Sequence, residues 1–268
     1  MGNRTRMAWC CLVALLPASA ACAQTNVPGD PYADDPVGIV ENPCPVHAKP
    51  ADKGDWQMWN LHMLTRDHGQ LCRYRAQNAA LREPVRVVFM GDSITQGWFD
   101  MVPGFFTPGR YGRGIGGQTT PQMLLRFRQD VIDLHPRAVH IMAGTNDIAG
   151  NTGAATMETV QGHIETMAEL AKAHGIRVIL ASIPPAAAFP WSPSKTPAPQ
   201  IVAFNAWLRG YAAAHGYTYV DYHAAMATPE GGMRPGLATD GVHPTPAGYA
   251  VMRPLALAAI TKTLGAAR

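Results

Sequence analysis

The chain has 268 residues, of which 47% are hydrophobic, 22 are basic and 19 are acidic. This length and apolar content suffice for one large α/β domain with a sizeable core. The charges nearly balance and no basic cluster alternates with aromatic residues, which argues against nucleic acid as the main partner. The sequence also lacks the basic amphipathic helix that binds membrane surfaces.

Residues 1–23 have the features of a signal peptide. Arg4 and Arg6 give a positively charged start, residues 7–16 form a short apolar stretch, and residues 21–23 read Ala-Cys-Ala, which fits a cleavage site. The apolar stretch is too short to span a bilayer, and no later segment is long and apolar enough to do so. We therefore expect an exported protein, periplasmic or secreted, without an integral membrane segment after cleavage.

The cysteines bear on both export and stability. Cleavage would leave Cys44 and Cys72, and an even count in an oxidising compartment favours one disulfide between them over two buried thiols. Lipid anchoring on Cys22 is the alternative to a soluble mature protein. We favour it less, because Ser19 stands where such sites usually carry a bulky aliphatic residue.

Two different segments precede the regular part of the chain. Residues 24–53 are rich in Pro, Asp and Gly and lack periodicity, which predicts an irregular arm. Residues 56–81 carry larger apolar side chains at moderately helical spacing, which predicts one helix. We place the globular domain, including this helix, at residues 54–268.

From Val85 onward, strand-like and helix-like segments alternate. The predicted strands are short apolar runs, namely residues 85–90, 138–143, 176–183 and 217–220. Helical periodicity follows the Thr-Pro start signals at residues 120–121 and 245–246, and it also occurs over residues 157–171 and 201–208. Alternation of this kind predicts an α/β fold, a three-layer α/β/α sandwich with a central parallel sheet.

Chemically useful side chains follow two of the predicted strands. Ser93 comes directly after the first strand and Asn146 after the second. In parallel sheets the active site lies beyond the carboxyl ends of the strands, so both fall where catalysis is expected. Near the end of the chain, Asp240 and His243 are close enough in sequence for one short turn to present them together. A serine hydroxyl needs such a base, and a group that orients the base, to act as a nucleophile.

Four sequence blocks occur in a fixed order. They read Gly-Asp-Ser at 91–93, Gly-Ile-Gly-Gly at 114–117, Gly-Thr-Asn-Asp at 144–147 and Asp-Gly-Val-His at 240–243. This order resembles the SGNH (GDSL) hydrolase family, over residues 85 to about 249. The resemblance implies a flavodoxin-like α/β/α fold and serine esterase chemistry without a cofactor.

The resemblance also implies roles for single residues. Ser93 matches the nucleophile, His243 the general base and Asp240 the residue that orients His243. The backbone N–H groups of Ser93 and Gly117 and the side-chain amide of Asn146 match three donors of an oxyanion hole. A glycine at 117 would let substrate approach the backbone closely.

Other candidate residues carry weaker signals. Trp98 lies five residues after Ser93 and is as compatible with a substrate contact as with a place in the core. The remaining histidines are scattered without the spacing of metal ligands, so we expect no metal site. Gly114 to Gly117 lacks the spacing of a nucleotide-binding loop.

We expect a secreted or periplasmic esterase that hydrolyses short acyl esters, acetyl esters above all, on small molecules or polysaccharides. O-acetyl groups on sugars are the leading substrates, because export would place the enzyme near acetylated polysaccharide. A lysophospholipase or thioesterase with longer acyl chains is the alternative. A non-catalytic polysaccharide-binding relative is disfavoured because Ser93, Asp240 and His243 are all present, and a structural role in the cell envelope remains a third hypothesis.

Overall fold

The structure, a computed structural model, describes residues 31–47 and 52–266. The predicted signal peptide and Cys22 lie outside these residues. The chain divides into two units, residues 1–45 and 46–268. In the first unit, residues 31–45 form turns and bends. All elements described below belong to the second unit.

A parallel sheet forms the centre of the second unit, in the strand order β2-β1-β3-β4-β5. The strands are β1 (Val87–Gly91), β2 (Arg110–Gly114), β3 (Ala138–Met142), β4 (Arg177–Ala181) and β5 (Thr218–Val220). Every residue of β1 and β3 is buried, as expected for apolar strands that are covered on both faces. The four apolar runs predicted from the sequence correspond to β1, β3, β4 and β5.

Strand β2 was not predicted from the sequence. It reads Arg-Tyr-Gly-Arg-Gly, without the apolar run that marks a buried strand. It pairs with β1 in register, so that Gly114 lies opposite Gly91. The half of β2 nearest its carboxyl end is nevertheless buried, because the Arg113 guanidinium lies 4.8 Å from the centre of the Tyr74 ring and donates a 2.8 Å hydrogen bond to Asn78.

The helices connect and cover these strands. Their bounds are α1 (Lys53–Thr65), α2 (Arg75–Ala80), α3 (Ser93–Met101), α4 (Thr120–Asp130), α5 (Thr145–Ala149), α6 (Met157–Ala173), α7 (Pro197–His215), α8 (Tyr222–Met226) and α9 (Pro246–Leu264). Short 3₁₀ turns occur at Pro103–Phe105 and Ile132–Leu134.

The single helix predicted over residues 56–81 is wrong, since α1 and α2 are separate. Between them, Asp67 accepts a hydrogen bond from the backbone N–H of Leu71 at 3.0 Å, and Gln70 has a φ of 49°. A polar side chain that bonds its own backbone in this way competes with the helical ladder and ends the helix.

Two apolar clusters lie on the two faces of the sheet. One contains side chains of α4, α6 and α7, and the other contains side chains of α3, α8 and α9. The predicted three-layer α/β/α arrangement is therefore confirmed. The strand order reverses direction between β1 and β3, and in such sheets the crevice at the carboxyl ends of these strands is the usual ligand site. No helix of the described residues has the length and apolar character needed to cross a membrane.

Candidate active site

Ser93 lies where β1 passes into α3. Asp92 caps the helix, because its Oδ1 accepts the backbone N–H of Ile94 at 2.9 Å. The first turn of α3 packs directly on the strand ends: a Cβ on Gly91 would lie 2.1 Å from Thr95 Oγ1, so only glycine fits there. This close packing leaves Ser93 at the carboxyl edge of the sheet. As the first residue of the helix, it has a backbone N–H without an acceptor inside the helix.

His243 and Asp240 reach this edge from the loop before α9. His243 Nε2 is 2.9 Å from Ser93 Oγ, and His243 Nδ1 is 2.7 Å from Asp240 Oδ2. Asp240 Oδ1 accepts the backbone N–H groups of His243 at 2.8 Å and Val242 at 3.0 Å. One short turn therefore holds both side chains, and the serine, histidine and aspartate that the sequence suggested lie in one chain of hydrogen bonds.

The charge on Asp240 follows from these contacts. Partial burial opposes ionisation of its carboxyl, but the backbone and ring N–H groups of His243 and the N–H of Val242 outweigh burial and hold the pKa below its usual value. An ionised Asp240 accepts the proton on His243 Nδ1. The Nε2 lone pair of His243 is then directed at Ser93 Oγ, which suits a general base.

The other two predicted donors stand in the segments that follow β2 and β3, the two strands that pair with β1. Gly117 has a φ of +76°, a left-handed conformation that favours glycine. Asn146 lies in the first turn of α5, just beyond the end of β3, and is 97% buried, since its exposed fraction is 3%. Asn146 Nδ2 donates one hydrogen bond, at 3.0 Å, to the backbone carbonyl of Gln118. Because an amide nitrogen carries two hydrogens, one of them remains for a ligand.

Two residues that the sequence analysis did not name lie on either side of the glycine turn. Gln96 Oε1 accepts the backbone N–H of Gly116 at 2.9 Å. Asn151 Nδ2 donates to the carbonyl oxygen of Gly117 at 3.1 Å and to Asn146 Oδ1 at 3.0 Å. Neither residue stands in one of the four sequence blocks, so local sequence carries no signal for this arrangement.

Trp98 does not lie at the site, which corrects the suggestion of a substrate contact. Its side chain has no exposed surface and stacks on Phe105 at 4.5 Å and on Tyr249 at 5.5 Å between ring centres. The spacing of five residues from Ser93 places Trp98 on the inner face of α3. The tryptophan near the site is Trp191, which is 41% exposed and whose ring centre is 5.5 Å from that of His243.

Two further carboxylates near the site serve the local structure. Burial raises the pKa of Asp92 to about 6, against the opposing effects of the Ile94 N–H, the charge of His243 and a hydrogen bond from Thr145. Asp147 accepts the backbone N–H and, at 2.6 Å, the hydroxyl of Thr120 and so ties α5 to the start of α4.

Cys44 and Cys72 are both disulfide-bonded in the structure, as their even number suggested. Their pairing with each other stays a prediction.

Comparisons with known proteins show which family and which solved structures the chain resembles. Residues 89–251 match the model of a family described as the GDSL-like lipase/acylhydrolase family. A crystal structure described as an acylhydrolase from Bacteroides fragilis is 50% identical, with a TM-score of 0.72 over 74% of this chain and 98% of that one. One described as a GDSL-like lipase from Bacteroides thetaiotaomicron is 49% identical, with a TM-score of 0.70 over 72% of this chain and 98% of that one.

A curated relative is more distant. The uncharacterized lipoprotein YqeF of Bacillus subtilis is 33% identical over 124 residues, which are 45% of this chain and 42% of that protein. The chain thus spans less than half the length of this relative.

Proposed function

The chain belongs to the GDSL-like lipase/acylhydrolase family and is an ester hydrolase, and we propose that Ser93, His243 and Asp240 are its catalytic triad. The observation that carries this proposal is the chain of two short hydrogen bonds, 2.9 Å from Ser93 Oγ to His243 Nε2 and 2.7 Å from His243 Nδ1 to Asp240 Oδ2. Nucleophile, base and orienting group are within the contact distances that acyl transfer requires.

In the first half of the reaction, Ser93 Oγ attacks the ester carbonyl carbon while its proton passes to His243 Nε2. The carbonyl π electrons move onto the oxygen, and a tetrahedral oxyanion forms. When it collapses, the bond to the leaving alcohol breaks, and the alcohol oxygen takes the proton from His243 Nε2. The acyl group remains on Ser93, and Asp240 stabilises the imidazolium that exists between the two proton transfers.

In the second half, water replaces the alcohol. His243 takes one proton from the water, whose oxygen attacks the acyl carbon, and a second oxyanion forms. Its collapse breaks the bond to Ser93 Oγ, which recovers its proton from His243. The products are the free acid and the original enzyme.

Three donors would stabilise both oxyanions: the backbone N–H groups of Ser93 and Gly117 and the remaining amide hydrogen of Asn146. Donors that are already oriented before the reaction stabilise developing charge without reorganising. The start of α3 and the left-handed Gly117 support this role, since both present N–H groups without an acceptor among the described residues.

We propose a short acyl group, with acetyl preferred. A Cβ built on Gly116 would lie 3.7 Å from Ser93 Cβ and 3.5 Å from Gln96 Oε1, so the neighbours of an acyl-serine on this side are a glycine turn and a polar amide. Such a surface offers little apolar area to a long chain, whose binding depends on apolar burial.

We propose a sugar as the leaving alcohol. His243 gives its proton to that alcohol, so groups beside His243 would contact the alcohol part of the ester. Trp191 occupies this place and exposes part of its ring. An exposed indole provides a large, rigid and amphipathic contact surface, which suits the apolar face and hydroxyl edge of a sugar ring.

We further propose that the protein is exported. The predicted signal peptide supports this, and so does the kinship with a B. subtilis protein named a lipoprotein. The intact mass of the mature protein tests it: a chain that begins after Ala23 supports the soluble form, whereas a chain that begins at Cys22 with added acyl mass supports an anchor.

The decisive test measures hydrolysis of p-nitrophenyl esters from acetate to long chains, and of acetylated xylo-oligosaccharides, by wild type and Ser93→Ala. The exposed Ser194 provides the matched control, Ser194→Ala. Activity that peaks at acetate and is lost only in Ser93→Ala supports the proposal. A peak at long chains would instead support a lysophospholipase or thioesterase, and full activity of Ser93→Ala would refute the triad.

A further inference from the structure

We propose that Asn151 is a positioning residue that orients two of the oxyanion donors and that Trp191 holds it in place. The inference rests on the proposed function, because it assumes that Gly117 and Asn146 are oxyanion donors. Asn151 stands outside the four sequence blocks, and Trp191 would have a second role beside that of a substrate contact.

All polar atoms of the Asn151 side chain are engaged. Nδ2 donates to Asn146 Oδ1 at 3.0 Å and to the Gly117 carbonyl oxygen at 3.1 Å, and Oδ1 accepts the indole N–H of Trp191 at 3.0 Å. An indole nitrogen can only donate a hydrogen bond. The contact with Trp191 therefore determines which end of the Asn151 amide carries the oxygen, and Nδ2 must point toward the site.

The orientation of Asn146 follows from that of Asn151. Because Asn146 Oδ1 accepts from Asn151, its Nδ2 faces the opposite way, where it donates one hydrogen to Gln118 and leaves the other for the substrate oxygen. If the Asn146 amide rotated by 180°, two NH₂ groups would face each other and the carbonyl oxygens of Asn146 and Gln118 would come together. Asn151 thus selects the orientation of Asn146 that stabilises an oxyanion.

The glycine turn is held from both ends. Gln96 accepts the N–H of Gly116, and Asn151 donates to the carbonyl oxygen of Gly117. The N–H of Gly117 lies between these two contacts. Glycine has more backbone freedom than other residues, so a donor on it depends on such contacts for its direction.

Trp191 is itself firmly held, which makes it a suitable partner for Asn151. It lies in the loop of residues 182–196 between β4 and α7 and stacks on the fully buried ring of Phe189 at 5.1 Å. The next residue, Ser192, donates its hydroxyl hydrogen to the carbonyl oxygen of Ala149 at 3.1 Å, which ties this loop to α5. The loop and the turn after α5 therefore form one hydrogen-bonded unit beside His243.

The test compares kcat and KM for p-nitrophenyl acetate among wild type, Asn151→Ala, Asn151→Asp and Trp191→Phe. Asp has the shape of Asn but donates nothing from its ionised carboxylate, and Phe keeps the ring of Trp without its N–H. We expect kcat to fall about 10- to 100-fold in both Asn151 variants, with KM changed by less than about 3-fold, because the lost contacts orient donors that act in the transition state.

We expect Trp191→Phe to lower kcat about 3- to 10-fold, and the double variant Asn151→Ala with Trp191→Phe to have the kcat of Asn151→Ala alone. Such non-additivity is the signature of residues that act through one contact. The exposed Asn60 on α1 supplies the control Asn60→Asp, whose kinetics should match wild type. Thermal unfolding of each variant shows whether a loss of activity reflects loss of the fold.

Wild-type kcat in Asn151→Asp, or additive effects in the double variant, would overturn the inference. Ser93→Ala and Asn146→Ala, measured alongside, separate its failure from that of the proposed function. If both of these lose activity while the Asn151 variants keep it, only the positioning role is wrong. If Ser93→Ala keeps full activity, the triad itself is wrong. Should Asn151→Ala fail to fold, Asn151→Asp and Trp191→Phe decide the matter.

Discussion

The carboxyl edge of the sheet and the interior of the domain contain the same residue types in opposite surroundings. At the edge, His243 bonds Ser93 and Asp240 and is partly exposed. In the interior, His140 on β3 is fully buried and its Nε2 is 2.9 Å from the hydroxyl of Tyr222. Trp191 and Trp98 differ in the same way: part of the Trp191 ring is in solvent, and the Trp98 ring is completely buried.

Two buried asparagines extend the comparison. Asn205 on α7 bonds the backbone of Ile183 with both ends of its amide, at 2.8 and 2.9 Å. Asn146 instead lies just beyond the end of β3, where we expect its second amide hydrogen to meet the substrate oxygen. Residue type alone therefore does not decide the role of a side chain. Polar groups whose hydrogen-bond partners lie in the protein core stabilise the fold. Polar groups with an unused donor or acceptor beside a nucleophile are available for chemistry.

The largest expected effect is a difference in kcat/KM between variants of the two histidines. His243→Ala should lower kcat/KM about 10⁴-fold or more, because it removes the general base, while unfolding changes little. His140→Gln should keep activity close to wild type, since His140 lies in the core away from the reacting atoms. Steady-state kinetics on p-nitrophenyl acetate check both, and equal losses in the two variants would contradict these assignments.

The two tryptophans should differ mainly in stability. Trp98→Ala removes a fully buried ring from an aromatic cluster and should lower the free energy of unfolding by about 3–5 kcal/mol. Trp191→Ala should lower it by less, about 1–2 kcal/mol, because the ring is partly exposed, yet it should weaken hydrolysis of acetylated sugars. Urea unfolding measures the first effect and kinetics the second. A larger stability loss in Trp191→Ala than in Trp98→Ala contradicts this assignment.

The asparagine pair should separate catalysis from folding. Asn146→Ala should reduce kcat about 10²- to 10³-fold, the effect of losing one oxyanion donor. Asn205→Ala should leave kcat unchanged but lower the free energy of unfolding by about 1–3 kcal/mol, since it leaves buried backbone groups of Ile183 unpaired. A normal kcat in Asn146→Ala would show that the other two donors suffice.

The smallest expected effect is a loss of folding stability at acid pH. Burial lowers the pKa of His140 from 6.5 to about 3, so the folded protein holds this ring neutral. As pH falls below 6.5 the unfolded chain binds the proton first, and stability is lost progressively down to about pH 3. Between pH 7 and pH 5 this loss should be about 2 kcal/mol.

The buried Asp92 acts in the opposite direction, because its pKa is raised to about 6 and the folded protein binds its proton first as pH falls. The contribution of His140 is therefore the difference between wild type and His140→Gln in urea unfolding at pH 7 and pH 5. The exposed His174 gives the control His174→Gln, which should keep the acid sensitivity of wild type. If the free energy of unfolding of His140→Gln depended on pH as that of wild type does, His140 would not be a source of the acid sensitivity.

Sequence patterns predicted the elements that depend on local properties. The apolar runs of β1, β3, β4 and β5 were visible because buried parallel strands exclude polar residues. Strand β2 was missed because its buried half, residues 112–114, contains no apolar side chain and is covered by partners far away in sequence, such as Tyr74. The break between α1 and α2 was missed because apolar spacing does not show that the Asp67 side chain, and not a helical carbonyl, accepts the N–H of Leu71.

The sequence by itself indicated which residues are able to do the chemistry. Ser93, Asp240, His243, Gly117 and Asn146 stand in blocks whose order and residue types point to acyl transfer, since nucleophile, base and turn glycine each need a particular side chain. Which neighbours orient them, and which tryptophan lies next to His243, depends on the tertiary structure. Those contacts join residues of separate loops, as Asn151 and Trp191 do, and their distances depend on how strands and helices pack and not on spacing along the chain.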